Sequence, residues 1–99
     1  MKKPAIFIAE PEAALRRGLK ALLLRNGYET VEGPDESQAI ESFRGSNPDL
    51  IIVGSPRDGP WVGMELAREI RRRDRKIPII LLTAHSSEDL AIAALKAGV

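Results

Sequence analysis

The sequence predicts an α/β protein: one open parallel sheet with helices on both faces, in three layers. Three observations carry this. Leu50-Ile51-Ile52-Val53 and Ile79-Ile80-Leu81-Leu82 are unbroken apolar runs, and a strand without alternation is covered on both faces. Such runs alternate along the chain with stretches whose apolar residues recur at helical spacing. The intervals between them suit the right-handed helical crossovers that parallel strands require.

Ala5–Ala9 is the first strand, short and apolar. Glu10-Pro11-Glu12 ends it. Proline suits the first turn of a helix, and acids there favour the helix dipole. Leu15, Leu19, Leu22 and Leu23 then form one apolar stripe, with Arg16, Arg17, Lys20 and Arg25 mostly off it. Asn26-Gly27 is a C-cap signal. Tyr28–Val31 is a weaker, partly alternating strand, as at a sheet edge. Gly33-Pro34 is a turn, and Asp35 with Gln38 has the pattern of a capping box. Ala39, Ile40 and Phe43 make the buried face of a short helix that stops at Gly45-Ser46-Asn47-Pro48.

Leu50–Val53 is the central strand. Gly54-Ser55-Pro56 cannot continue it. In open α/β sheets, ligands and chemistry gather just past the C-terminal strand ends. Here that position is Gly54, which has no side chain. A loop over residues 55–60 leads to a helix from about Trp61 to Asp74, with Met64, Ala67 and Ile70 inward. Residues 78–83 form the fourth strand. Ser86 can cap a last helix in which Ala91, Ala94 and Leu95 face the core and which Gly98 closes.

Ninety-nine residues make one domain, and a hydrophobic content of 43% supplies one core. A formal charge of +1 calls for neither nucleic acid nor an acidic substrate. Without cysteine and with a single histidine, the chain has no disulfide framework, thiolate metal site, cysteine nucleophile or histidine-rich metal site. The run after Met1-Lys2-Lys3 is too short for a secretion signal, and no stretch is long enough to span a membrane. These features point to a cytoplasmic domain.

Taken together, several stretches resemble the CheY-like receiver domain of two-component response regulators. They are IFIAEPE, ALRRGLKALL, NPDLIIV, GMELAREIR, IPIILLTA and ALKAG, which span nearly the whole chain. The resemblance implies strand order 2-1-3-4, with a fifth strand and helix to follow. Residues 1–99 are then expected to be a single receiver-like domain, incomplete at its C-terminus. It also implies phosphoryl transfer from a kinase phosphohistidine to an aspartate at the tip of the third strand. An acidic pair after the first strand would bind Mg²⁺, and a Thr or Ser would end the fourth. Carried over by position, the acidic pair is Glu10 and Pro11, the acceptor is Gly54 and the hydroxyl is Thr83, followed by the small residue Ala84. A lysine expected at the end of the fifth strand has no counterpart.

The departures decide the chemistry. An aspartyl phosphate needs a carboxylate nucleophile, which Gly54 lacks. Mg²⁺ seeks near-octahedral oxygen ligation with one or two carboxylates, and Glu10 alone would hold it weakly or not at all. These positions therefore predict a vestigial phosphorylation pocket, no catalytic residue and no cofactor: a pseudo-receiver. Asp58 is the one displaced acid near enough to substitute, but a loop carboxylate lacks fixed in-line geometry. Asp49 sits at the wrong end of the strand.

Each candidate has a plainer reading. Glu10 can simply favour the next helix N-terminus, and Thr83 can be a strand-end residue. His85 reads as a loop residue. Trp61 is either a partner contact or a lid over the core. Residues 71–76, RRRDRK, read as a nucleic-acid patch or as a solvated helix end, and the second is favoured because cations suit a helix C-terminus. Ser55 has no relay behind it.

The leading function is a protein–protein module. Its expected partners are a histidine kinase, another receiver or an output domain, with no direct nucleic acid. Without a fifth strand, the fourth would be an open apolar edge, so a homodimer or other association is expected there. The alternatives are a phosphoacceptor using Asp58 or Glu10, and a small-ligand or enzymatic α/β domain. The last lacks a glycine-rich phosphate loop and a base–nucleophile pair.

Overall fold

A computed structural model describes residues 2–33, 36–84 and 87–99. The elements are β1 (Ala5–Ala9), α1 (Ala13–Arg25), β2 (Glu29–Glu32), α2 (Glu36–Gly45), β3 (Leu50–Gly54), α3 (Val62–Arg73), β4 (Ile79–Leu82) and α4 (Glu88–Ala97). The strands form one parallel sheet in the order β2-β1-β3-β4. The predicted class and strand order are those observed.

Strand alternation assigns the two faces. Phe7, Ala9, Ile51, Val53 and Ile79 point to one side, where they pack with Ala39 of α2, Met64, Ala67 and Ile70 of α3, and Leu90 of α4. Phe7 meets Phe43 edge-on at 6.3 Å between ring centroids. Ile6, Ile8 and Ile52 point to the other side, where Leu19 and Leu23 of α1 lie against them. Most of the core is therefore on the α2–α3–α4 side.

Several helix expectations need correction. The α1 stripe does face the sheet, but the helix buries no residue completely, and Leu22 is 50% exposed. Helix α1 begins only at Ala13, so its first turn holds no acid. Pro11 lies before it, and Glu12 is an N-cap without a side-chain cap bond. In α4 the inward residues are Leu90, Ala93, Ala94 and Ala97, while Ala91 is exposed and Leu95 is 77% exposed. The helix phase is set by Leu90, one residue, or roughly 100° of rotation, away from the alanine pattern. Its N-cap is Ser87, whose hydroxyl accepts from Leu90 N–H at 3.1 Å. Ser86, His85 and the Asp35 member of the capping box lie outside the described residues.

Two helix ends follow the sequence closely. Gly27 has φ +89° and turns the chain after Asn26, the C-cap of α1. Gly98, with φ +76°, closes α4 in the left-handed conformation that glycine adopts without steric cost. Strand β4 is the sheet edge, and Ile80 on it is 45% exposed. Among the described residues, no helix is long and apolar enough to cross a membrane.

Candidate functional site

The parallel sheet brings the ends of β1, β3 and β4 together at one edge. Ala9 pairs with Val53, and Gly54 with Leu82, so Glu10, Gly54 and Thr83 become neighbours although they are far apart in sequence. An open cleft of roughly 840 Å³ lies over this edge. Glu10, Pro11, Ser55, Arg57, Thr83 and Ala84 are among its lining residues, and Leu15, Leu19 and Leu82 supply apolar wall.

Glu10 does not act as a solvated helix-capping acid. It is 3% exposed, the one buried charged residue among those described. Its carboxyl reaches across to β3 and lies over Gly54. A Cβ placed on Gly54 would overlap Glu10 Oε2 and lie 2.6 Å from Cδ and 2.9 Å from Oε1. The long acid just past β1 and the missing side chain at the end of β3 are therefore complementary in shape. Sequence reading identified both positions but not their contact. The signal was there: an acid meets a hydrogen-only residue at two strand tips that the topology sets side by side.

The electrostatics follow from this burial. Glu10 Oε2 has no hydrogen-bond partner among the described residues. Desolvation is the main cause that pushes the carboxyl above its ordinary pKa, and Glu12's charge adds to it. The backbone N–H of Glu12 and the Arg16 charge act in the opposite sense. Arg16 spends one guanidinium nitrogen on Glu10's own carbonyl, at 2.8 Å.

Ser55 fixes the loop behind the cleft. Its hydroxyl donates to the Pro60 carbonyl at 2.9 Å and accepts from Gly63 N–H at 2.9 Å. Both hydrogen-bonding roles of the hydroxyl are thus engaged in shaping the loop. Gly63 is needed there, because a Cβ would overlap Ser55 Oγ and sit 3.0 Å from the Gly54 carbonyl. Sequence reading gave Ser55 no such part.

Thr83 and Ala84 border the cleft. Trp61 does not. It stands just before α3, 38% exposed, with the Arg68 guanidinium 6.0 Å from its ring centroid. Asp58 is exposed in the loop and is not among the cleft's lining residues. Asp49 is at the opposite end of β3, accepting from Ala5 N–H at 2.8 Å.

The donor set is poor for a divalent ion. Among the described residues, no group of three or more His, Cys, Asp or Glu side chains is placed to hold a metal. Pro11 offers no side-chain donor, and Glu10 is turned onto Gly54. Mg²⁺, which needs several oxygens in near-octahedral array, does not fit this arrangement.

A four-stranded parallel sheet in the order 2-1-3-4 with its polar cleft at the β1, β3 and β4 tips is a doubly wound α/β domain of the flavodoxin-like and CheY-like kind. The family comparison agrees, with a match to the response regulator receiver domain over residues 6–99. The chain belongs to that family. It is 41% identical over 96 residues to the transcriptional regulatory protein PdtaR of Mycobacterium tuberculosis (strain ATCC 25618 / H37Rv), covering 94% of this chain and 45% of that protein. It is 30% identical over 94 residues to the chemotaxis protein CheY of Bacillus subtilis (strain 168), covering 94% of this chain and 78% of CheY. The chain thus spans less than half of the first of these relatives.

Among solved structures, a CheY-like receiver domain protein from Methanospirillum hungatei JF-1 superposes with a TM-score of 0.88 at 19% identity. That match covers 98% of this chain and 77% of the other. The response regulator TrrA of Thermotoga maritima, solved in complex with Mg²⁺ and BeF, gives 0.80 at 31% identity, covering 93% and 79%.

Proposed function

We propose that this receiver domain is a protein–protein interaction module of two-component signalling that takes up no phosphoryl group. The observation that carries this reading is the Glu10 carboxyl lying over Gly54. A phosphoryl acceptor needs a carboxylate at the strand tip with room for in-line attack. Here the tip has no side chain, and the space beside it is filled by an acid from the neighbouring strand. Glu10, Pro11, Gly54, Thr83 and Ala84 then form a vestigial pocket that neither transfers phosphate nor holds Mg²⁺. Signalling would pass by docking to a histidine kinase, another receiver or an output domain in the cytoplasm.

Incubation with acetyl phosphate and Mg²⁺ followed by intact-mass spectrometry tests the reading. An unchanged mass is expected, and a gain of one phosphoryl group contradicts it. A displaced acceptor at Asp58 would show as a gain that Asp58→Ala abolishes. The 99-residue chain is also expected to self-associate through β4, whose exposed Ile80 lies on the sheet edge. Sedimentation showing only monomer at high concentration would contradict that part.

A further inference from the structure

A second cleft, of roughly 730 Å³, runs between α3 and α4, away from the Glu10 site. Five cations line it, Arg68, Arg71, Arg72, Arg75 and Lys96, against one acid, Asp89. The whole chain carries a net charge of only +1, so positive charge is concentrated here. Arg68, Arg71 and Arg72 follow i, i+3, i+4 spacing on one face of α3, and Arg75 follows past the helix end beside them. Across from them Ile92, Ala93 and Ala97 of α4 give the cleft an apolar wall.

The cations have different duties. Arg71 ties the two helix ends together, donating from Nη1 to the Asp74 carbonyl at 3.3 Å and from Nη2 to the Gly98 carbonyl at 2.7 Å. Arg72 shares Glu69 with Arg73. Arg68, Arg75 and Lys96 have no carboxylate partner among the described residues. Arg68 and Arg75 are exposed, and Arg68 lies near the Trp61 ring. The groove therefore combines free positive charge with a hydrophobic wall, held at one end by Arg71.

We infer that this groove docks an acidic, amphipathic protein segment, with carboxylates on the α3 arginines and an apolar side chain against Ile92 and Ala93. Charge complementarity selects an anion. The apolar wall favours a peptide over nucleic acid, because phosphates gain nothing from it and the groove lining offers no aromatic platform for bases. Asp89 would meet a cationic residue or amino terminus of the peptide and would repel a continuous phosphate backbone. The inference rests on the interaction-module reading and gives that module a surface and a partner chemistry.

The test uses fluorescence anisotropy with a labelled peptide of roughly twelve residues built from Glu-Glu-Leu-Ala repeats, long enough to follow the groove as a helix. Expected is salt-sensitive binding that weakens roughly tenfold or more in Arg68→Glu/Arg75→Glu. A peptide with every Glu replaced by Gln should lose binding equally. The double variant must keep the wild-type circular dichroism spectrum. If it does not, Lys96→Glu alone carries the test and should weaken binding severalfold. No binding, or binding indifferent to these charge reversals, overturns the inference. So does single-stranded RNA of similar length binding more tightly through the same arginines. Phosphoryl uptake in the mass experiment would defeat the module reading and leave this binding result intact, so the two failures are distinguishable.

Discussion

The two clefts of this domain handle charge in opposite ways. At the strand tips a single carboxyl is buried, covers a glycine and has, for one oxygen, no partner among the described residues. Between α3 and α4, several guanidinium groups stand at an open groove. At the first site a side chain covers the strand tip inside its cleft, and at the second the cations line an open groove. Helix α3 borders both. Gly63 near its start packs on Ser55 behind the Glu10 cleft, and Arg68 to Arg72 further along line the groove. Its buried residues, Met64, Ala67 and Ile70, fix the helix on the sheet. One helix thus shapes two unlike surfaces, the strand-tip cleft near its start and the cationic groove along its length.

The largest expected effect is one that disturbs both clefts. Ile70→Ala empties a fully buried position under α3 and should cost about 2–5 kcal/mol in denaturant unfolding. Leu95→Ala, at a largely exposed position on α4, should stay within about 0.5 kcal/mol. Equal losses for the two would show that the helices are not packed as described. Next comes a change confined to the strand-tip side. Gly63→Ala forces a methyl onto Ser55 and the Gly54 backbone and should cost about 1–3 kcal/mol. Peptide binding at the groove should survive it.

The smallest effect is the most specific. Glu10's folded pKa is raised above the ordinary value of about 4.5, so the folded state holds this proton more tightly than the unfolded one. Its contribution is fully present below the unfolded pKa and is lost as pH rises through the folded value. Glu10→Gln should remove that slope from the stability–pH profile above 4.5. Asp74 behaves in the opposite sense. Backbone N–H groups of Lys76 and Ile77 lower its pKa below 3.8, so its contribution is lost as pH falls through the folded value. A Glu10→Gln profile parallel to wild type above 4.5 would remove the buried acid from the account.

The sheet was legible because apolar runs without alternation have few other solutions, and Leu50–Val53 and Ile79–Leu82 are such runs. In helix α3 the inward Met64, Ala67 and Ile70 were read correctly, while the burial of Leu66 beside them was missed. Helix α4 was misread, because alanine is neutral enough to face either way, and Leu90 rather than Leu95 decided the phase. The α1 stripe correctly gave the side that faces the sheet. It could not tell how much of that side would be covered, since burial depends on neighbouring elements and not on periodicity. At the site, position-by-position comparison singled out Gly54 for its lack of a side chain. It could not find the Glu10 contact, which exists only once β1 and β3 lie in register.

The most direct test of that contact is a carbon-detected NMR titration of the Glu10 carboxyl in the wild-type protein and in Gly54→Ala. The added methyl would expel the carboxyl into the open cleft. The account predicts a raised pKa in the wild type that returns toward the ordinary glutamate range in the variant. An ordinary value in the wild type, or the same raised value in both, would contradict it.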